Sequence, residues 1–527
     1  GIRDVSPSRG LGDVYKRQEQ ESRLKKSLLN ARVNLIFYFL SLIVAFFSRK
    51  IFLDSLGADF IGLIGTLTNL LSFLNLAELG IGSAIGYVLY KPLFERNESK
   101  INEIISVFGY IYRWIGFIIL GAGCVLACLL PLIFPNNVFD LGIIYFAYFS
   151  YLSSSLIGYF INYKQTLLGA DQKNYVVTAY FQSAILARTL LQVGVAYYTR
   201  NYYLWIGLEL LLGITYSIIL NWKINQTYPW LKSEVKLGKL LFKKYPEVMK
   251  YTRQIFIHKI GSFVQFQATP LLIYAFVSLK IVAFYGNYTI IIDKITQLVN
   301  NLLSSTGAGI GNLIAEGNQK RIQKVFWELL GIRFFIAGTI SFALLQLTEP
   351  FISLWLGKEY VLSPIILALV IFNAFTGYTR GATDQFLYGF GLFHDTWAPI
   401  IEICISLTVA LIGGSLWGLP GVLSGSIISQ LIIVGIWKPY FLYSQGFKVS
   451  VLQYWIGYFK YLIIILIPAT ACYLIFPHEH FTPDNSFGDW TKYAVIIVTS
   501  YSITTFLLLY LLTDGIRTFT HRMIKKH

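Results

Sequence analysis

The chain has 527 residues, 55% of them hydrophobic and only 13% charged, with a formal net charge of +16. A soluble domain carries roughly 25% charged residues, so this composition excludes a string of ordinary soluble domains. Apolar runs of about 20 residues recur from end to end, each long enough to cross a bilayer as a helix. The composition therefore predicts an all-α polytopic membrane protein.

The opening stretch GIRDVSPSRGLGDVYKRQ stands apart from that pattern. It is polar and lacks the apolar core of a signal peptide. It resembles translated sequencing-adapter sequence, and residues 1–20 are read as a leader foreign to the native chain. Fourteen spans follow, at 33–53, 60–90, 104–130, 141–168, 175–199, 203–222, 255–277, 281–315, 325–348, 362–388, 397–413, 417–437, 454–476 and 490–513. The 60–90 and 281–315 runs are too long for one straight crossing and are expected to tilt, bend at glycines or continue into the interface. Cys124, Cys128, Cys404 and Cys472 all fall in apolar segments without a His or Cys cluster, which reads as small buried hydrophobes.

Lys and Arg gather in the loops on the N-terminal side, nine of them from Lys223 to Lys259 inclusive. By the positive-inside rule both termini are cytoplasmic, and the basic surplus marks topology rather than nucleic-acid binding. Within it, KLGKLLFKKYPEVMK (236–250) reads either as an amphipathic helix on anionic lipid or as a solvated linker.

The second half echoes the first. Displaced by 220 positions, Gln165, Leu167 and Gly169 meet Gln385, Leu387 and Gly389, and GIGSAIG (80–86) faces GIGNLIA (309–315). Six spans per repeat predict two lobes related by a pseudo-twofold along the membrane normal, with the substrate between them. The expected organisation is an N-lobe at 30–225, a cytoplasmic linker at 226–254, a C-lobe at 255–445, two further helices in 450–513 and a tail at 514–527.

Polar residues line up inside the spans. Thr68, Ser72, Asn75, Glu78, Gly82 and Gly86 recur at helical spacing in span two, as do Asp293, Gln297, Asn300, Ser304, Gly307 and Gly311 in span eight. Small and amide residues of this kind commonly line helix contacts. Charges differ, because each costs several kcal/mol at bilayer depth. Arg188, Asp293, Lys294, Arg380 and Asp384 are therefore candidates for a water-filled cavity, although Arg380 and Asp384, four apart, could simply neutralise each other. Glu78 reads as a proton or gating site, with a structural tie between helices as the competing reading.

The segment SFLNLAELGIGSAIGYVLYKPLFERNESKINEII (72–105) resembles polysaccharide-biosynthesis flippases of the Wzx type, in the multidrug/oligosaccharidyl-lipid/polysaccharide exporter superfamily. SRKIFLDSLGADFIGLIGTLTNLL (48–71) fits the same family. The resemblance implies a bacterial cytoplasmic-membrane protein that moves undecaprenyl-diphosphate-linked oligosaccharide to the outer leaflet. It also implies a MATE-like fold, a cationic cavity, membrane lipid as surroundings and no nucleic-acid partner.

The chain carries no ATP-binding motif, so transport would draw on H+, Na+ or the membrane potential. Arg188, Lys294 and Arg380 are the expected cations for the diphosphate, and the chain is expected to act as a monomer without cofactor or metal. A lipid II or multidrug exporter of the same fold is the alternative. A membrane polysaccharide polymerase or ligase is the alternative of another class, disfavoured by the short outward loop HEHFTPDNSFGDW (478–490).

Overall fold

In the computed structural model, residues 8–78, 80–135, 139–171, 173–303, 310–311, 313–314, 316–392 and 394–524 are described. All regular structure among them is helical. In chain order the helices are α1 (Ser8–Leu56), α2 (Ala58–Leu74), α3 (Ile81–Phe94), α4 (Glu98–Ile133), α5 (Leu141–Phe160), α6 (Gln165–Ala170), α7 (Asn174–Tyr198), α8 (Tyr202–Thr227), α9 (Gly238–Phe242) and α10 (Pro246–Phe276). They continue as α11 (Leu279–Leu303), α12 (Gln319–Trp355), α13 (Pro364–Gly389), α14 (Trp397–Trp417), α15 (Leu419–Phe447), α16 (Leu452–Ile475), α17 (His478–Phe481), α18 (Phe487–Leu512) and α19 (Asp514–Ile524).

Short polar side chains set many of the starts. Asn97, Asp140, Asn201, Asn318 and Ser486 each accept a hydrogen bond from a backbone N–H two or three residues on, at 3.0–3.1 Å. Each occupies one of the donors a helix N-terminus leaves open. Eleven helices among the described residues are long and apolar enough to cross a membrane: α1 from Leu29, α4, α5, α7, α8, α12 to α16, and α18. The other three expected spans correspond to α10, α11 and the broken α2–α3 run.

That break is the bend at a glycine expected of the 60–90 run, and it corrects the single polar face read for it. Span two is not a single helix with one polar face. α2 ends at Leu74, Asn75–Glu78 form a tight 3-10 turn, and Gly80 takes a φ of 96° before α3 begins. Only glycine adopts that backbone cheaply, so the chain bends there. Thr68 and Ser72 spend their hydroxyls on the carbonyls of Ile64 and Thr68, at 2.9 and 2.8 Å, while Gly82 and Gly86 belong to a different helix. In span eight, Ser304 and Gly307 lie outside the described residues.

The cysteines are also corrected. Cys124, Cys128 and Cys404 are exposed and only Cys472 is buried. An apolar segment does not imply burial when lipid is the solvent, since the outward face of a spanning helix is apolar too. The same reason explains the many outward-facing large side chains, such as Leu132, Leu474 and Phe47.

The chain divides into two compact units, Gly1–Ile260 and Gly261–His527, with the boundary inside α10. In the first unit α5 packs against α4 and α8, and α1 against α7. The basic segment after α8 is neither a free linker nor one continuous helix over 236–250. Asn102 accepts from the Lys232 N–H at 2.9 Å, Ser106 from that of Glu234 at 2.9 Å, and Glu103 takes Lys244 at 2.8 Å and the Tyr245 hydroxyl at 2.6 Å. These bonds sew the segment onto the first turns of α4.

The second unit is built on an aromatic core of Phe326, Phe334, Phe386, Tyr443, Phe447, Tyr454 and Tyr461, contributed by α12, α13, α15 and α16. α16 and α18 both pack on α12. α19 lies across the start of α12, with Ile516 buried and Arg522 bonded to the buried Glu328. His478, at the start of the short outward loop, sits with Nε2 2.9 Å from Oε1 of the buried Gln346 of α12.

Candidate functional site

Glu78 closes the 3-10 turn and is met by two phenols. The Tyr112 hydroxyl of α4 donates to Oε1, and the Tyr159 hydroxyl of α5 donates to Oε2 at 2.7 Å. Tyr159 also lies 3.0 Å from Asn75 Oδ1, which takes the Ser155 hydroxyl at 3.2 Å. Among the described residues no cation pairs with Glu78. Neutral hydroxyls are therefore its partners, and they can accommodate either an ionised or a protonated carboxyl by turning the O–H.

Ser155 also faces the second feature of this unit, a cavity of about 530 Å³ between α5, α7 and α8. Arg188 of α7 and Glu209 of α8 line it as a hydrogen-bonded ion pair. Around the pair stand Asn162, Gln165, Ser217 and Tyr216. Asn162 and Ser217 are 5% and 1% exposed and bond to each other at 2.9 Å.

In the second unit Arg380 of α13 donates through Nε to Asp384 Oδ2 at 2.9 Å, with Nη1 4.0 Å from Glu402 Oε1 of α14. Arg333 of α12 reaches the same stretch of α13. It is 6% exposed, and its Nη1 donates to the Tyr378 carbonyl at 3.0 Å. Gly381 makes the approach possible, because a Cβ there would lie 2.2 Å from Arg333 Nη1. The Tyr378 hydroxyl meets Thr296 of α11 at 2.9 Å. On α11 Asp293, Gln297 and Asn300 share one exposed face at helical spacing, with Lys294 partly buried beside them.

Arg188 and Arg380 thus meet carboxylates within their own units. Glu209, Glu402 and Arg333 complete these clusters, and the sequence reading passed over them. The signal was present: each is a lone charge in an apolar run, in IGLELLLG, PIIEICIS and GIRFFIAG. Tyr112 and Tyr159 carried no such signal, since Tyr is common in helices of either environment.

These features define a helical, multi-pass membrane protein that pairs Arg188 and Arg380 with carboxylates inside its apolar helices. No protein-family model and no curated protein matches the sequence. Among solved structures the chain is similar to "Lipid II flippase MurJ, inward closed conformation", with a TM-score of 0.63 and 14% identity over 92% of this chain and 99% of that one. It is also similar to an inward-facing multidrug resistance MATE family transporter of the MOP superfamily, with a TM-score of 0.55 and 13% identity over 80% of this chain and 98% of that one. The chain shares the helical fold of these two solved structures.

Proposed function

We propose that this chain is a secondary transporter that flips an undecaprenyl-diphosphate-linked oligosaccharide across the bacterial cytoplasmic membrane. The observation that supports it best is the Arg380 cluster, set within apolar helices of a fold similar to a lipid flippase. Arg380 Nη1 lies 4.0 Å from Glu402 Oε1, beyond hydrogen-bond distance, so a diphosphate that displaced this longer contact would meet the two Nη groups of a planar fork. Lys294, two residues before Thr296, which meets Tyr378 of α13, is assigned to the same headgroup.

The energy source is H+, Na+ or the membrane potential, since the chain carries no ATP-binding motif.

The likeness to a lipid II flippase favours a second reading, in which the cargo is lipid II. Complementation separates the two. The chain should restore surface polysaccharide in a strain lacking its polysaccharide flippase, and Arg380→Ala and Lys294→Ala should lose that activity at normal expression. Rescue only of a strain depleted of its lipid II flippase would move the assignment to lipid II. Rescue of neither strain would refute both.

A further inference from the structure

We propose that the cavity of the first unit is a carbohydrate subsite, which takes the first sugars of the cargo by hydrogen bonding rather than by charge. The inference rests on the flippase reading above and gives Arg188 a different task from the diphosphate grip expected of it.

The cavity is of ligand size, since its volume of about 530 Å³ falls within the roughly 300–1,000 Å³ of small-molecule sites. Its charge argues against a phosphate. Arg188 is bonded to Glu209, so the pair contributes no net charge, and a dianion entering the cavity would meet an uncompensated carboxylate. The other polar groups on the wall are neutral hydroxyls and amides, among them Ser154, Asn162, Gln165 and Ser217.

A sugar ring needs this mixture. Each of its hydroxyls both donates and accepts, and here guanidinium and amide N–H donors stand beside carboxylate, carbonyl and hydroxyl acceptors. Two further observations point to a ligand. Arg188 Nε is buried with no hydrogen-bond partner among the described residues, although buried donors are almost always satisfied. Tyr216 and Phe181, with ring centroids 5.4 Å apart, add an aromatic wall on which the C–H face of a sugar can pack.

Gly158 supplies the perturbation. It lines the cavity on α5, and a Cβ built on it meets nothing within 4 Å. Gly158→Leu therefore starts its side chain in open space on the cavity wall and removes no polar group from it. Gly121 of α4 also has nothing within 4 Å of its Cβ but is exposed away from the cavity, so Gly121→Leu is the matched control.

The experiment measures equilibrium binding of two probes to the full chain in lipid nanodiscs: bare undecaprenyl diphosphate, and undecaprenyl diphosphate carrying one N-acetylhexosamine. The unaltered chain should bind the glycosylated probe about tenfold more tightly, in the way a site built to hydrogen-bond a hydroxyl rejects the analogue without it. Gly158→Leu should abolish that preference while affinity for the bare probe stays the same, and Gly121→Leu should change neither. Equal affinity of the unaltered chain for both probes, or an equal loss for both in the Gly158→Leu variant, overturns the subsite and leaves the flippase reading standing. Failure of the unaltered chain to bind either probe overturns the flippase reading itself.

Discussion

Tyr159→Phe tests how Glu78 is held. The substitution deletes one hydroxyl that serves both Glu78 Oε2, at 2.7 Å, and Asn75 Oδ1, at 3.0 Å. Tyr159 is 4% exposed, so water has no room to replace the lost donor. Asn75 keeps Ser155 and Glu78 keeps Tyr112, so the cage loses one partner rather than collapsing. Leaving a buried acceptor short of its donor costs about 1–3 kcal/mol, and the expected loss of stability is about 2 kcal/mol. Glu78→Gln behaves differently. Its amide can face both phenols, accepting at the oxygen and donating at the nitrogen, so its cost should stay under about 1 kcal/mol. Thermal unfolding of the detergent-solubilised chain reads both quantities, and transport assayed from pH 5 to pH 8 reads whether Glu78 does more than hold helices together. Glu78→Gln should fold normally yet transport several-fold more slowly. Full transport by that variant at every pH would leave Glu78 a purely structural tie. A Tyr159→Phe variant as stable as the parent would refute the cage itself.

Two further outcomes are expected. Reporter fusions at Lys244 and in the C-terminal tail should report the cytoplasm and fusions at Asn485 the opposite side, whereas an outward C-terminus would overturn the fourteen-span topology. Gly381→Val should destabilise the second unit by about 1–3 kcal/mol, because the new Cβ falls on the buried Arg333 guanidinium and pushes it off the Tyr378 carbonyl; an unchanged unfolding midpoint would show that Arg333 relocates at no cost.

Much of this protein was decided before folding. Bilayer thickness converts runs of about 20 apolar residues directly into spanning helices, so the class and nearly every span could be read in one dimension. The cost of an isolated charge in hydrocarbon marked Arg188, Arg380 and Asp384 in the same way, and the i,i+4 spacing of the last two already named their contact. Other features required the third dimension. The bend at Gly80 depends on a left-handed backbone that Gly82 and Gly86, in the same short stretch, do not adopt. The outward placement of Cys124 and Cys128 was hidden because lipid and protein interior reward the same apolar side chains. The partners of Glu78 come from helices 34 and 81 residues away, and Arg188 meets Glu209 from the next helix over. A helical repeat specifies which face a side chain occupies, but only packing specifies what stands opposite. That is why the charges were legible in the sequence, while the hydroxyls, carboxylates and cavity that give them their chemistry appeared only in the tertiary structure.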